Sequence, residues 1–154
     1  MNIPNLYSDS DIQTMKFADN AIVPGDNRVE EIRKFAKEAG FQRIGIANCI
    51  SMQKEAEALK EMLSTDFEMV NVNCKIDRIP NSEILGADAK GISCNPAGQA
   101  KNLVDAKTEL NITLGLCVGH EIVFNAKSKV PTTALIVKDR IHKHNTIEIF
   151  RKTA

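Results

Sequence analysis

Four cysteines give this chain its widest chemical reach. Cys49, Cys74, Cys94 and Cys117 lie 20 to 25 residues apart, with no C-x-x-C among them. As thiolates they could ligate a soft metal ion, hold an iron–sulfur cluster or attack an electrophile. A fifth candidate is His120. It stands in Cys117-Val-Gly-His120, a C-x-x-H spacing at which both side chains can turn toward one ion, and Gly119 lets the loop fold back. The competing reading for each cysteine is burial as a small hydrophobe.

Composition narrows the choice. The chain has 154 residues, 43% of them hydrophobic, and twenty Lys+Arg balance twenty Asp+Glu. That length closes a core without disulfide staples. Zero net charge argues against a nucleic-acid binder, which usually shows a basic excess or stripe. Aromatics are 5% with no Trp, so stacking platforms are scarce. No apolar run approaches the roughly 20 residues of a membrane helix. The first 19 residues have neither the basic nor the apolar region of a signal peptide. The expectation is a soluble cytoplasmic protein with no membrane partner. In a reducing compartment the cysteines then read as metal-binding, catalytic or inert, not as a disulfide framework.

Positioning these residues falls to alternating short strands and helices. Ser8-Asp9-Ser10-Asp11 offers N-caps for a first helix, and Pro24-Gly25-Asp26-Asn27 is a turn. Val29, Ile32, Phe35, Ala36 and Ala39 recur at helical spacing before a Gly40 stop. Strands are predicted over 43–47, 67–72, 110–116 and 132–137. Helices are predicted over 52–63, 96–107 and 121–126, and 75–93 as a long loop. A closing turn or short strand is predicted over 147–150. The alternation predicts an α/β fold, a three-layer Rossmann-like or flavodoxin-like domain with a mainly parallel sheet of about four strands. Residues 1–27 read as an N-terminal helical extension and 28–154 as a single α/β metal-binding domain.

This architecture changes the meaning of the cysteines. Cys49 follows the first strand, Cys74 ends the second and Cys117 ends the third. Cys94 precedes a helix that has Asn95 as N-cap and Pro96 at its first position. In an open parallel sheet the strand C-termini share one edge, where ligands bind. All four cysteines are therefore expected to converge there as ligands of zinc or a [4Fe–4S] cluster, with helix N-termini favouring the thiolates of Cys49 and Cys94. Asn95, Gln99 and Asn111 could orient a ligand or donate to sulfur, or simply cap helices and satisfy loop carbonyls. Lys138 and Arg140 could hold an anionic substrate or balance thiolate charge, and Asp139 could orient His120 or His142. His142 and His144 form an H-x-H that reads chiefly as a surface turn. There is no phosphate loop, no G-x-G-x-x-G and no G-x-S-x-G.

These motifs carry a family resemblance. Cys94-Asn-Pro-Ala-Gly-Gln-Ala100, Gly115-Leu-Cys-Val-Gly-His120, Val137-Lys-Asp-Arg140 and His144-Asn145 are similar to those of an uncharacterised prokaryotic domain-of-unknown-function family. Its members are labelled metal-binding proteins. Arg28-Val-Glu-Glu31, Gly45-Ile-Ala47 and Cys74-Lys75 continue the likeness upstream, over about residues 28 to 150. The resemblance implies metal binding and no particular activity. This chain departs from it in having no cysteine before Cys49, and in Glu121 and Thr146, so a second N-terminal metal site is not expected.

Three functions follow as expectations. The first is a metal-binding protein with an iron–sulfur cluster or zinc on the four cysteines and a redox or sulfur-chemistry role. The second is a metal-free enzyme using Cys117 or Cys49 with His120 as base. The third is a structural or regulatory module braced by zinc. A redox partner or small-molecule substrate fits the first two. A homodimer is compatible with all three, with the helix before Pro24 as the segment to pack on a second copy.

Overall fold

A computed structural model describes residues 6–151. The chain divides between Phe41 and Gln42 into two compact units.

The first unit is a helical hairpin, α1 (Asp9–Ala21) and α2 (Arg28–Glu38). Ser8 caps α1 in a reciprocal box. Its hydroxyl accepts from the Asp11 N–H, and the Asp11 carboxylate accepts from the Ser8 N–H. This satisfies two of the donors a helix start leaves open. Asn27 caps α2 through the Glu30 N–H. Phe17 meets Phe35 edge-on, and Phe35 meets Phe41, each at 6.3 Å between ring centroids.

The second unit holds the sheet: β1 (Arg43–Asn48), β2 (Glu68–Asn73), β3 (Leu110–Leu114) and β4 (Thr132–Ile136), in the order β2-β1-β3-β4 with every pairing parallel. Between them run α3 (Gln53–Leu63), α4 (Asn81–Leu85), α5 (Pro96–Asp105) and α6 (Val118–Lys127). The chain leaves β1 toward β2 but returns past it to β3 and on to β4. Right-handed crossovers then place α3 on one face of the sheet and α5 and α6 on the other. This is the expected α/β architecture, all-parallel, in the order shared by flavodoxin-like sheets.

The two central strands, β1 and β3, are buried along almost their whole length, and the outer strands β2 and β4 are largely half-buried. Ile44, Ile46, Ile112 and Leu114 are fully buried. On the α5–α6 face, Ala47 and Val72 join Ala100, Leu103, Leu116 and Phe124 in one core cluster. Against the other face α3 buries Ala56, Leu59 and Leu63 at i, i+3 and i+7.

Several elements differ from expectation at their ends. The 75–93 segment is not a plain loop. It contains a 3-10 turn (Ile76–Arg78), the short helix α4 and a Pro80–Ile92 bridge. Helix α6 begins three residues earlier than predicted, directly after Cys117, which makes Cys117 its N-cap residue. Beta-branched Val118, Ile122 and Val123 mask this helix in the sequence, since they weaken helix propensity. Residues 147–150 close as a 3-10 turn over Thr146–Ile149.

Candidate functional site

The register fixes where the cysteines emerge. Asn48 lies beside Asn73 on one flank and Leu114 on the other. Cys49 and Cys74 therefore leave the sheet near their partner strands' ends, and Cys117 follows three residues after Leu114. The turn between β3 and Cys117 depends on Gly115, at φ +61, where a Cβ would sit 2.8 Å from Met52 Cγ. A side chain there would be strained and would push on the turn that follows Cys49. The crevice between β1 and β3, where the chain reverses its winding, is the place for a ligand in such a sheet. Cys49 and Cys117 border it.

Cys94 reaches the same edge from α5. The Asn95 N–H donates to the Cys74 carbonyl at 2.8 Å, and Lys75 Nζ donates to the Ile92 carbonyl at 2.8 Å. These ties bring Cys94 Sγ to 3.7 Å from Cys74 Sγ. Asn95 caps α5 by accepting from the Gly98 N–H at 2.9 Å. Gly98 is required there, since a Cβ would lie 2.1 Å from the Asn95 amide. Gln99 is wholly buried, and its Nε2 donates to the carbonyls of Asn48 and Val72 at 3.1 and 2.9 Å. Asn111 Oδ1 accepts from Thr108 Oγ1 at 2.8 Å. Asn95 and Gln99 thus hold the scaffold beneath the edge, whereas Asn111, the second residue of β3, lies toward the opposite end of its strand and ties down the turn before it.

Charge is distributed unevenly over the sulfurs. Lys138 Nζ lies 2.8 Å from Cys49 Sγ and 3.2 Å from Ser51 Oγ, and Ser51 Oγ also donates to Cys49 Sγ at 3.1 Å. Burial pushes the Cys49 thiol up, but the hydrogen bonds from Lys138 and Ser51 outweigh it and bring it down to about 7. Cys74 is 2% exposed. Burial pushes it up to about 12, opposed by the Ile50 N–H on its sulfur at 3.3 Å and reinforced by the neighbouring thiols Cys94 and Cys49. Arg140 reaches Cys117 Sγ at 3.3 Å.

His120 is placed otherwise. It has no hydrogen bond to Cys117 or Cys49 among the described residues. Instead it lines, with Cys94, Lys75 and Asn81, a cleft of about 410 Å³ whose apolar wall includes Ile84, Ile92 and Val123. Asp139 pairs with His142, whose backbone N–H holds the carboxylate below its usual range, and the Asp139 N–H donates to His144 Nδ1 at 3.0 Å. The H-x-H is thus part of a self-contained turn.

All four cysteines are free thiols. Among the described residues no three His, Cys, Asp or Glu side chains are already gathered closely enough to hold one ion. Tested against a thiophilic metal, the donor set fits in kind, and Cys74–Cys94 fits in spacing. A tetrahedral Zn–S bond of about 2.3 Å implies an S–S edge of about 3.8 Å. The other two sulfurs are turned to cations.

Sequence alone assigns no role at the sulfurs to Ser51 or the Ile50 N–H. The signal for them was present in Cys49-Ile-Ser51, a hydroxyl two residues after a thiol at a helix start, a spacing at which local side-chain bonding is common.

The model of a family described as protein of unknown function (DUF1847) matches residues 5–135. The chain belongs to this family, and an uncharacterised domain-of-unknown-function family is what the resemblance implied. It is also 45% identical over 123 residues to Uncharacterized protein MJ0455 of Methanocaldococcus jannaschii, a match covering 77% of this chain and 64% of that relative. No solved structure matches. No helix among the described residues is long and apolar enough to cross a membrane.

Proposed function

We propose that this family member binds a single thiophilic metal ion at the C-terminal edge of its sheet, zinc foremost, through Cys74 and Cys94 as the anchoring pair and Cys49 and Cys117 as the completing ligands. The observation that carries the reading is the 3.7 Å separation of Cys74 and Cys94. It is the spacing of two thiolates on one tetrahedral ion, whereas the thiolates of a [4Fe–4S] cluster each serve a different iron. Support comes from the surroundings. The Ile50 N–H, Lys138 and Arg140 all point at sulfur, which offsets the negative charge a thiolate set accumulates. Loading requires Cys49 to exchange Lys138, and Cys117 to exchange Arg140, for the metal. His120 is a reserve donor on the Cys94 side.

The test is anaerobic purification followed by elemental analysis and a visible spectrum on one sample. One zinc per colourless chain, lost in Cys74→Ser and in Cys94→Ser, is the expected result. Brown protein with iron and inorganic sulfide would replace the single ion by a cluster. No metal after reconstitution would overturn the reading.

A second reading rests on Lys138. With its thiol brought down to about 7 and the Lys138 ammonium 2.8 Å away, Cys49 is equipped as a nucleophile at physiological pH, and Lys138, not His120, is its activating group. Stoichiometric alkylation of Cys49 in protein shown to be metal-free, with the other thiols slow, would favour it.

A further inference from the structure

We infer that Cys74 and Cys94 form a reversible disulfide with a low-molecular-weight disulfide as oxidant, and that closing it discharges the metal. The second clause rests on the metal reading above; the first does not. The sulfurs stand 3.7 Å apart, and a disulfide needs about 2.05 Å, so small side-chain rotations suffice. Backbone movement is limited, because the Asn95 N–H to Cys74 carbonyl bond already joins the two segments directly beside the thiols. The pair is also asymmetric in access. Cys74 is 2% exposed, while Cys94 is half-buried and forms part of the wall of the 410 Å³ cleft. A small disulfide can reach Cys94 from that cleft and cannot reach Cys74 directly.

The chemistry is two exchanges. The Cys94 sulfur attacks one sulfur of the small disulfide. A Cys94–small-thiol bond forms, the reagent's S–S bond breaks, and its other half leaves as a thiolate that takes up the proton Cys94 gave up. The Cys74 sulfur then attacks Cys94 Sγ. The Cys74–Cys94 bond forms, the mixed disulfide breaks, and the second small thiol leaves with the proton from Cys74. Two protein thiols are oxidised and one small disulfide is reduced to two thiols. Because only Cys94 is open to the cleft, a mixed disulfide on Cys94 precedes the crosslink. Once oxidised, neither sulfur is a thiolate, so the anchoring ligands are gone.

The experiment uses the full chain, reduced and stripped of metal, with oxidised glutathione as the probe, followed by peptide mapping over time. The expected result is glutathione on Cys94 before any on Cys74, then a Cys74–Cys94 crosslink that also forms in Cys49→Ser, where about two thiols are lost per chain. In Cys74→Ser, and in Cys74→Ala as a second variant, the adduct on Cys94 persists, and in Cys94→Ser no crosslink forms. A wild-type adduct that never resolves, or a crosslink that joins a different pair such as Cys49 and Cys74, overturns the proposal. The same oxidation on zinc-loaded chain should release zinc in step with the crosslink. Crosslinking with zinc retained overturns the discharge. A chain that never takes up zinc sinks the metal reading, while the crosslink is still read in the metal-free sample.

Discussion

The two flanks of the sheet edge hold their sulfurs by different forces. On the β2 flank, Cys74 and Cys94 face each other and one backbone N–H, with no charged side chain hydrogen-bonded to either sulfur among the described residues. On the β1–β3 flank, Cys49 and Cys117 each face a cation delivered by the loop after β4. Burial leaves Cys74 a protonated thiol on the first flank, while on the second burial of Cys49 is outweighed by Lys138 and Ser51 together, which bring its thiol down to about 7. One edge therefore presents a close pair of sulfurs, the inner of which stays protonated, beside two sulfurs that each face a cation. The contrast suits a site in which one flank anchors and the other responds.

Gln99 joins the flanks, and its loss should have the largest effect. Its Nε2 holds the carbonyls of Asn48 and Val72, the residues just before Cys49 and just before Asn73-Cys74. Gln99→Leu would remove two buried hydrogen bonds and leave both carbonyls short of a donor, at a cost of about 2–4 kcal/mol. Urea unfolding should show this as a lower midpoint at unchanged slope. A cost under about 0.5 kcal/mol would mean the two loops are spaced by something other than this amide.

Removing Lys138 should erase the contrast in acidity. Alkylation of Cys49 by iodoacetamide in metal-free protein should follow a midpoint of about 7. In Lys138→Met, burial is left less opposed, and the midpoint should climb toward or past the ordinary 9.0. At pH 7 the thiolate fraction would fall roughly 50-fold, partly offset by its greater nucleophilicity, for a net slowing of roughly 6-fold. An unmoved midpoint would assign the activation to Ser51.

The same contrast predicts opposite pH trends in stability. Cys49 is depressed on folding, so its stabilisation is present above 9.0 and fades as pH falls from there through about 7. Cys74 is raised, so its stabilisation is present below 9.0 and fades as pH rises toward about 12. Between pH 7 and 9 the melting temperature should therefore rise more steeply in wild type than in Cys49→Ser. Above pH 9 it should fall more steeply in wild type than in Cys74→Ser. Parallel curves in both ranges would remove the physical basis of the comparison.

The anchoring flank has its own weak point at the start of α5. Asn95→Ala would lose the cap on the Gly98 N–H and the Nδ2 contact to the Ile76 carbonyl, a destabilisation of about 1–2 kcal/mol. Its effect should fall on Cys94, the adjacent residue, and leave the Cys49 midpoint where it was. A shift in Cys49 instead would show that the flanks are not separable.

The sequence made the fold legible because its strands are short, apolar and spaced by amphipathic helices, and that alternation has few parallel-sheet solutions. It made the shared edge legible for the same reason: Cys49, Cys74 and Cys117 each follow a strand. The arrangement within the edge was not legible. Strand order depends on which way each crossover turns, and neither Gln53–Leu63 nor Pro96–Asp105 encodes that direction in its own periodicity. The pairing of Cys74 with Cys94 depends on the Asn95–Cys74 backbone bond, which no side chain announces. Lys138 and Arg140 carried a visible choice between substrate binding and charge balance, and the structure sets both against sulfur. His120 illustrates the limit of spacing. The C-x-x-H suggested a shared ion, but α6 begins directly after Cys117, and His120 lies within its first turn, where it faces the cleft with Cys94.

Arg140 offers the smallest effect and the finest test of the comparison. Like Lys138 it reaches a sulfur, but the contact is longer, 3.3 Å against 2.8 Å, and Arg140 is exposed where Lys138 is half-buried. Solvent and salt screen such a contact, and exposed charge pairs contribute about 0–1 kcal/mol. Arg140→Leu should therefore change the alkylation rate of Cys117 by less than about 5-fold, and raising the salt in wild type should reproduce most of that change. The Lys138–Cys49 pair, being more sheltered, should lose less to the same salt. If Arg140→Leu instead slows Cys117 as strongly as Lys138→Met slows Cys49, the cation-bearing loop acts on both sulfurs alike. The division of the edge would then lie between β2 and β1 alone, with distance from solvent irrelevant to it.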